Sequence, residues 1–221
     1  MNITNDLVTE YINGFYEAES EDLAKLRTDS EEKRVPIILK ETESFLKTLL
    51  LMKKPLRILE IGAAVRYSSS FFAQVCPEAK IVTIEKDENI YNTAKENISR
   101  LGFDSQIRVC QGDGEEVINQ LIEEGAEPFD LVFIDAAKSH YKRFLNAALK
   151  ICRKDALIIS DNILMKGQTV SDKYDPYGRH KTNIRNMKEY LEYVTSSQYL
   201  DTSLLACGDG LALSIYRGKD E

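Results

Sequence analysis

The chain alternates short, nearly unbroken apolar runs with longer segments whose apolar residues recur at helical spacing. Five runs read as strands: Arg57–Ile61, Lys80–Ile84, Ile107–Gln111, Phe129–Ile134 and Ala156–Ser160. Amphipathic patterns separate them at Ser68–Val75, Glu88–Leu101, Gly114–Glu123 and Lys142–Leu149. Strands that are apolar on both sides must be covered on both sides, so this alternation predicts an α/β fold with a parallel sheet between helical layers. The end of the chain differs. Lys188–Thr195 reads as a helix, followed by strand-like Tyr199–Ala206 and Gly210–Tyr216 joined through Cys207-Gly208-Asp209. That predicts a C-terminal antiparallel hairpin on a mostly parallel, seven-stranded sheet. Residues from Asp6 to about Arg27 read as one or two polar helices. Pro36 then falls in the first turn of a helix carrying Ile37, Ile38, Phe45, Leu46, Leu49 and Leu50, ended by Lys53-Lys54-Pro55. Residues 1–54 thus form an N-terminal helical part, and residues 1–221 a single domain without repeat or linker.

Composition narrows the setting. No apolar run approaches the roughly 20 residues that span a bilayer, so no membrane association is expected. The start, Met1-Asn2-Ile3-Thr4-Asn5-Asp6, lacks the basic beginning and apolar core of a signal peptide, which predicts a cytoplasmic location. Cys76, Cys110, Cys152 and Cys207 are spread out without metal-like spacing and read as free thiols in a reducing compartment. The net charge of -7 argues against indiscriminate nucleic-acid binding but leaves room for one local basic face.

The candidate chemistry lies where the strands end. Ligands of open α/β sheets bind beyond the carboxyl ends of the strands. The predicted strands finish at Glu60, Glu85, Asp113, Asp135 and Asp161-Asn162. One such carboxylate is ordinarily a helix cap, and Asp113, ahead of Gly114-Glu115-Glu116, is the best case for that. Five in succession point to a shared cleft. After Ile58-Leu59-Glu60-Ile61, Gly62 allows close approach of the backbone to a ligand, small residues open a helix, and Glu85 can take two ribose hydroxyls. An ordinary strand-turn-helix with a turn glycine is the plainer reading of that segment alone. Asp135, Asp161 and Asn162 offer two carboxylates and an amide oxygen, with neither His nor Cys close by. This set suits a hard cation such as Mg²⁺ better than Zn²⁺. Lys138, three residues after Asp135, is placed to act as general base; His140 is expected to be peripheral.

Leu59-Glu60-Ile61-Gly62-Ala63, Tyr67-Ser68-Ser69, Glu85, Phe133-Ile134-Asp135-Ala136-Ala137-Lys138 and Asp161-Asn162 together resemble the divalent-metal-dependent O-methyltransferases, the group of the catechol and caffeoyl-CoA enzymes. The likeness runs from about Val35 to the C-terminus. It implies a Rossmann-like class I methyltransferase fold, S-adenosylmethionine as methyl donor and Mg²⁺ or another divalent cation. By this resemblance Gly62 and Ser68 hold the methionine end and Glu85 the ribose. Asp113 and Gly114 surround the adenine, and Ile38, Glu60 and Asp135 complete the cofactor contacts. Asp135, Asp161 and Asn162 bind the metal, and Lys138 is the catalytic base. A homodimer is the family tendency.

Within that family, Val35-Pro36-Ile37, Asp135-Ala136-Ala137-Lys138 and Arg179-His180-Lys181-Thr182-Asn183-Ile184-Arg185-Asn186 resemble the bacterial branch that methylates 5-hydroxyuridine in tRNA to 5-methoxyuridine. The resemblance implies the tRNA anticodon region as substrate. Residues 164–188 form a basic insertion or lid. From Lys166 to Lys188 there are six Lys or Arg and two Asp, a local net charge of +4 in an acidic chain. Lys166, Lys173, Arg179, Lys181 and Arg185 are the candidate phosphate contacts, and Tyr174 and Tyr177 candidate stacking surfaces for unpaired bases. A solvated lid with scattered charges is the plainer reading. One residue departs from the family: Arg66 stands where Gly is usual, and it either pairs with the cofactor carboxylate or faces solvent. Two other functions share these features. One is O-methylation of a small catechol-like molecule; the other is an RNA- or nucleotide-binding module that keeps the fold without catalysis.

Overall fold

The computed structural model describes residues 5–62 and 67–218; Ala63 and Arg66, discussed above, lie outside the described residues. Seven strands form one sheet in the order β3-β2-β1-β4-β5-β7-β6. They are β1 (Arg57–Ile61), β2 (Lys80–Glu85), β3 (Ile107–Gln111), β4 (Phe129–Ile134), β5 (Cys152–Asp161), β6 (Leu200–Leu205) and β7 (Leu211–Tyr216). The first five run parallel, while β7 pairs antiparallel with both β5 and β6, as the apolar pattern predicts.

Alternate residues of each central strand enter opposite cores. In β4, Leu131 and Phe133 pack with Leu23 and Leu26 of α2 (Glu21–Glu32), Leu46 and Leu50 of α3 (Lys40–Lys53), and Phe71 and Phe72 of α4 (Tyr67–Val75). Val132 and Ile134 face Ile118 and Leu121 of α6 (Gly114–Glu123), Leu145 of α7 (Tyr141–Ala148), and Met187 and Tyr190 of α8 (Lys181–Ser196). Two buried faces explain why the strands read as continuous apolar runs. Each fully buried Leu or Phe there contributes about 2–3 kcal/mol of transfer free energy. The other α-helices among the described residues are α1 (Asp6–Asn13) and α5 (Glu88–Arg100).

Several boundaries differ from the sequence reading: β5 begins at Cys152 rather than Ala156, α2 runs on to Glu32, and two helix starts move for a reason visible in the contacts. The helix expected from Pro36 begins at Lys40, and Pro36, Ile37 and Ile38 form an extended lead-in. The reason is a long-range contact: the Ile38 carbonyl accepts a hydrogen bond at 3.0 Å from the buried guanidinium of Arg27. The helix expected at Lys188 begins seven residues earlier, at Lys181. The carboxylate of Asp175 accepts from the amides of Arg179 and His180, both at 3.1 Å, and so fixes the chain just before that first turn.

Arg27 also organises the N-terminal part. Its Nη2 pairs with buried Glu43 of α3, and its Nε donates to the hydroxyls of Tyr16 at 3.1 Å and Tyr67 at 3.2 Å. Burial pushes the Tyr67 hydroxyl well above its ordinary range. The cluster therefore binds α2 and α3 to the first residue of α4.

The decisive close approach is at the tips of β1 and β4. Gly62 donates to the Ile84 carbonyl at 3.0 Å, and the Asp135 amide donates to the Ile61 carbonyl at 3.0 Å. Gly62 has φ +85°, and a Cβ there would lie 2.2 Å from the Asp135 carbonyl oxygen. Only glycine fits. Gly62→Ala should destabilise the fold by about 3 kcal/mol or more, since it combines a left-handed strain with a clash against backbone. A urea midpoint unchanged from wild type would refute this account of the β1–β4 junction.

Candidate active site

Two adjoining regions form at the carboxyl ends of the parallel strands. The first is a cleft floored by Gly62 and bordered by Glu85, Asp113, Gly114 and Asp135. The Glu85 carboxylate sits at the end of β2, where its Oε1 accepts from the amides of Lys86 at 2.7 Å and Asp87 at 2.9 Å. Asp113 caps α6 through the Glu115 amide at 3.2 Å and also binds Arg143 Nη2 at 2.8 Å. Its hydrogen bond with Arg143 holds its carboxyl below the usual carboxylate value, so it is charged at neutral pH. The cap role and the cleft role expected of Asp113 therefore coincide.

The opposite wall of this cleft includes His140 and Phe144. Their rings stack with centroids 5.7 Å apart and planes 22° from parallel, and His140 Nδ1 shares a hydrogen bond with Ser139 Oγ at 2.8 Å. His140 thus borders the cleft, at the end of the 3-10 turn Lys138–His140 that leads into α7.

Glu60, Ser68 and Ile38 do not line the cleft. Glu60 lies under its floor, wholly buried, with one carboxylate oxygen receiving the Ser68 hydroxyl and the other the Thr83 hydroxyl. Ser68 is the second residue of α4, so this network ties β1, β2 and α4 together beneath Gly62. Ile38 belongs to the core beside α2 and α3.

The second region is built around Lys138. Its Nζ donates to Asp135 Oδ1 at 3.1 Å, Asn162 Oδ1 at 3.0 Å and the Tyr141 hydroxyl at 2.6 Å. Tyr141, fully buried, donates in turn to the Asp161 carbonyl at 2.8 Å. Sequence reasoning missed Tyr141, although it lies one helical turn after Lys138. Asp161 is buried, and its Oδ1 accepts the Asn162 amide at 2.6 Å. Among the described residues no three His, Cys, Asp or Glu side chains form a metal group; the set here is two carboxylates completed by an amide oxygen. Asp135 Oδ1 and Asn162 Oδ1 already converge on one cation, the Lys138 ammonium. That convergence and an all-oxygen donor set fit a hard divalent ion.

The backbone after Asp161 is strained. Asn162, Met165 and Lys166 have φ of +55°, +50° and +55°. Asn tolerates this conformation, whereas Met and Lys each incur about 1–2 kcal/mol. The hairpin tip holds the turn in place: the Leu164 amide donates to the Asp209 carbonyl at 3.0 Å, and the Lys166 amide to Asp209 Oδ1 at 2.6 Å. Asp209 escaped sequence reasoning because Gly208-Asp209-Gly210 reads as an ordinary turn.

Lys166, Lys173, Arg179, Lys181 and Arg185 are all exposed. Lys181 and Arg185 share a groove with Lys188 and Tyr177; Lys166, Lys173 and Arg179 are not among its lining residues. The groove also includes Asp172, Asp175, Glu189 and Glu192, so its charge is mixed. The Arg179 guanidinium lies over the Tyr177 ring, 5.1 Å from its centre. The Asn186 amide donates to the Ser139 carbonyl at 3.4 Å, which joins α8 to the turn bearing Lys138.

Burial, reinforced by the negative charge of Asp135, pushes the Asp161 carboxyl up from 3.8 to about 8. In metal-free protein, folding therefore takes up a proton across this interval, and stability falls as pH rises from about 4 to about 8. Asp161→Asn should remove that component. Urea midpoints in chelator at about pH 5 and about pH 8 measure it. An equal decline in the variant would assign the effect elsewhere.

Comparison with known proteins bears on this geometry. The sequence profile of the O-methyltransferase family matches residues 15–217. The chain is 29% identical over 179 residues to the catechol O-methyltransferase of Niastella koreensis, covering 78% of this chain and 79% of that one. The crystal structure of a candidate caffeoyl-CoA O-methyltransferase from Staphylococcus aureus superposes with a TM-score of 0.89 at 29% identity, covering 96% of this chain and all of that one. An O-methyltransferase from Bacillus cereus, crystallised with SAH, has the same fold, with a TM-score of 0.82 at 23% identity over 95% of this chain and 97% of that one. The chain belongs to the O-methyltransferase family.

Proposed function

We propose that the protein uses S-adenosylmethionine and a divalent cation to methylate the 5-hydroxyl of 5-hydroxyuridine in the anticodon region of tRNA. The observation that carries an acceptor hydroxyl is the convergence of Asp135, Asn162 and Tyr141 on Lys138 Nζ beside the cofactor cleft. The RNA reading is supported by the adjoining groove of Lys181, Arg185, Lys188 and Tyr177, joined to the Lys138 turn through Asn186.

When bound, S-adenosylmethionine would supply the methyl group to the acceptor oxygen, and a divalent cation such as Mg²⁺ would be held by Asp135, Asp161 and Asn162 and would lower the cost of a negative acceptor oxygen. Lys138 Nζ takes the hydroxyl proton, and Tyr141 fixes the direction from which it approaches. Gly62 and Glu85 orient the donor, Glu85 towards its ribose hydroxyls, and the His140–Phe144 pair shields the other wall of the cleft. Lys181 and Arg185 hold phosphates, while Tyr177 offers a ring to an unpaired base.

Similarity to a catechol O-methyltransferase favours a second reading, a small catechol-like acceptor at the same Lys138 site. Both readings predict that Lys138→Ala lowers kcat about a hundredfold or more, with cofactor affinity by calorimetry unchanged. They separate on the acceptor. In the RNA case, methylation of 5-hydroxyuridine tRNA weakens in Lys181→Glu and Arg185→Glu, each reducing the salt dependence of binding by about one charge. Turnover of catechol, with none on the tRNA, would overturn the RNA reading. Wild-type turnover in Lys138→Ala would overturn the base assignment.

We also propose a homodimer. Leu7, Tyr11 and Phe15 form an apolar stripe along α1 and its C-terminal end, each more than two-thirds exposed, at 75%, 71% and 73%. A second copy of the chain would cover it. Sedimentation at micromolar concentration should find a dimer that Tyr11→Glu dissociates; a monomeric wild type would exclude it.

A further inference from the structure

We infer that Asp209 is a positioning residue for the acceptor site: it clamps the strained Asn162–Lys166 turn and through it sets the Asn162 amide against Lys138. The inference rests on the acceptor reading given above. Asp209 grips the turn at two points, accepting the Leu164 amide on its carbonyl and the Lys166 amide on Oδ1. Its neighbour Gly210 accepts the Ile163 amide at 3.1 Å. Gly210 has φ +84°, and a Cβ there would lie 2.5 Å from Leu164 Cγ, so hairpin and turn are packed without slack.

Met165 and Lys166 occupy a backbone region that L-residues leave unless held there. Among the described residues, Asp209 Oδ1 is the side-chain oxygen that takes the Lys166 amide. Without it, that amide loses its partner and the left-handed pair is free to relax. The Asn162 Oδ1–Lys138 Nζ contact of 3.0 Å lies at the other end of the same five residues. A misplacement of that contact reaches the reacting groups, while Gly62, Glu85 and Asp113 in the cofactor cleft stay where they are.

The role requires an acceptor at this position more than a charge. That gives a test on full-length protein with three variants, Asp209→Ala, Asp209→Asn and Asp209→Ser. In Asp209→Ala, amide hydrogen exchange over residues 162–169 should rise. Its kcat on an anticodon stem-loop RNA carrying 5-hydroxyuridine should fall about tenfold or more. Calorimetric affinity for S-adenosylmethionine should match wild type. Asp209→Asn, which keeps an oxygen at the same place, should restore both exchange protection and kcat. If Asp209→Ala does not fold, Asp209→Ser, whose hydroxyl is too short to reach, replaces it in the comparison. Wild-type kcat and exchange in the Ala or Ser variant overturn the inference, as does failure of Asn to restore either. Absence of turnover by the wild type itself refutes the acceptor reading instead, and the exchange comparison still decides whether Asp209 holds the turn.

Discussion

The contact on which the molecule depends is between backbone atoms at the ends of β1 and β4. Gly62 turns away from β1 so close to the Asp135 carbonyl that no side chain fits. The same step forms the floor of the Glu85–Asp113 cleft on one side and starts the Asp135–Lys138 turn on the other. The cleft and the Lys138 cluster are consequently neighbours by construction. Their spacing is set by a strand-to-strand distance, a quantity the sheet's hydrogen bonds keep stiff.

Support for this junction comes from below. Glu60, one residue before Ile61, receives hydroxyls from Thr83 on β2 and Ser68 on α4. Tyr67, one residue before Ser68, belongs to the Arg27 cluster. A buried guanidinium is costly to desolvate, and this one is stabilised by Glu43, two phenol oxygens and the Ile38 carbonyl. The N-terminal helices are thereby tied to the helix that opens beside the cleft. A buried polar network of this kind specifies a single arrangement, because any partial set of its contacts leaves a charge without compensation.

The Lys138 cluster shows the opposite electrostatic logic. Asp161 is buried beside the partly exposed Asp135, whose negative charge helps raise its carboxyl, and Lys138 lies against Asp135 and Asn162. A proton on Asp161 or a cation within the cluster relieves that repulsion. The strained turn after Asn162 and the hairpin tip at Asp209 are part of the same arrangement, since both fix where the amide oxygen points.

The sequence by itself determined the layer order. Each central strand is buried on two faces, which only apolar residues satisfy, and that requirement is written in consecutive positions. It also placed Glu85, Asp113, Asp135 and Asp161 along one rim, because residues at successive strand ends of a parallel sheet share one side whatever the loops do. Tertiary structure decided what depends on distant partners. The start of α3 follows from Arg27 reaching Ile38, and the start of α8 from Asp175 bonding forward to two amides. Glu60 passed from rim to buried support because two hydroxyls meet it there, and His140 borders the cleft because it precedes α7, whose Phe144 stacks on its ring and packs against Gly114. Asp209 and Arg143 gained their roles the same way. Each acts through a hydrogen bond to an element other than its own, and a spacing along one chain carries no trace of that.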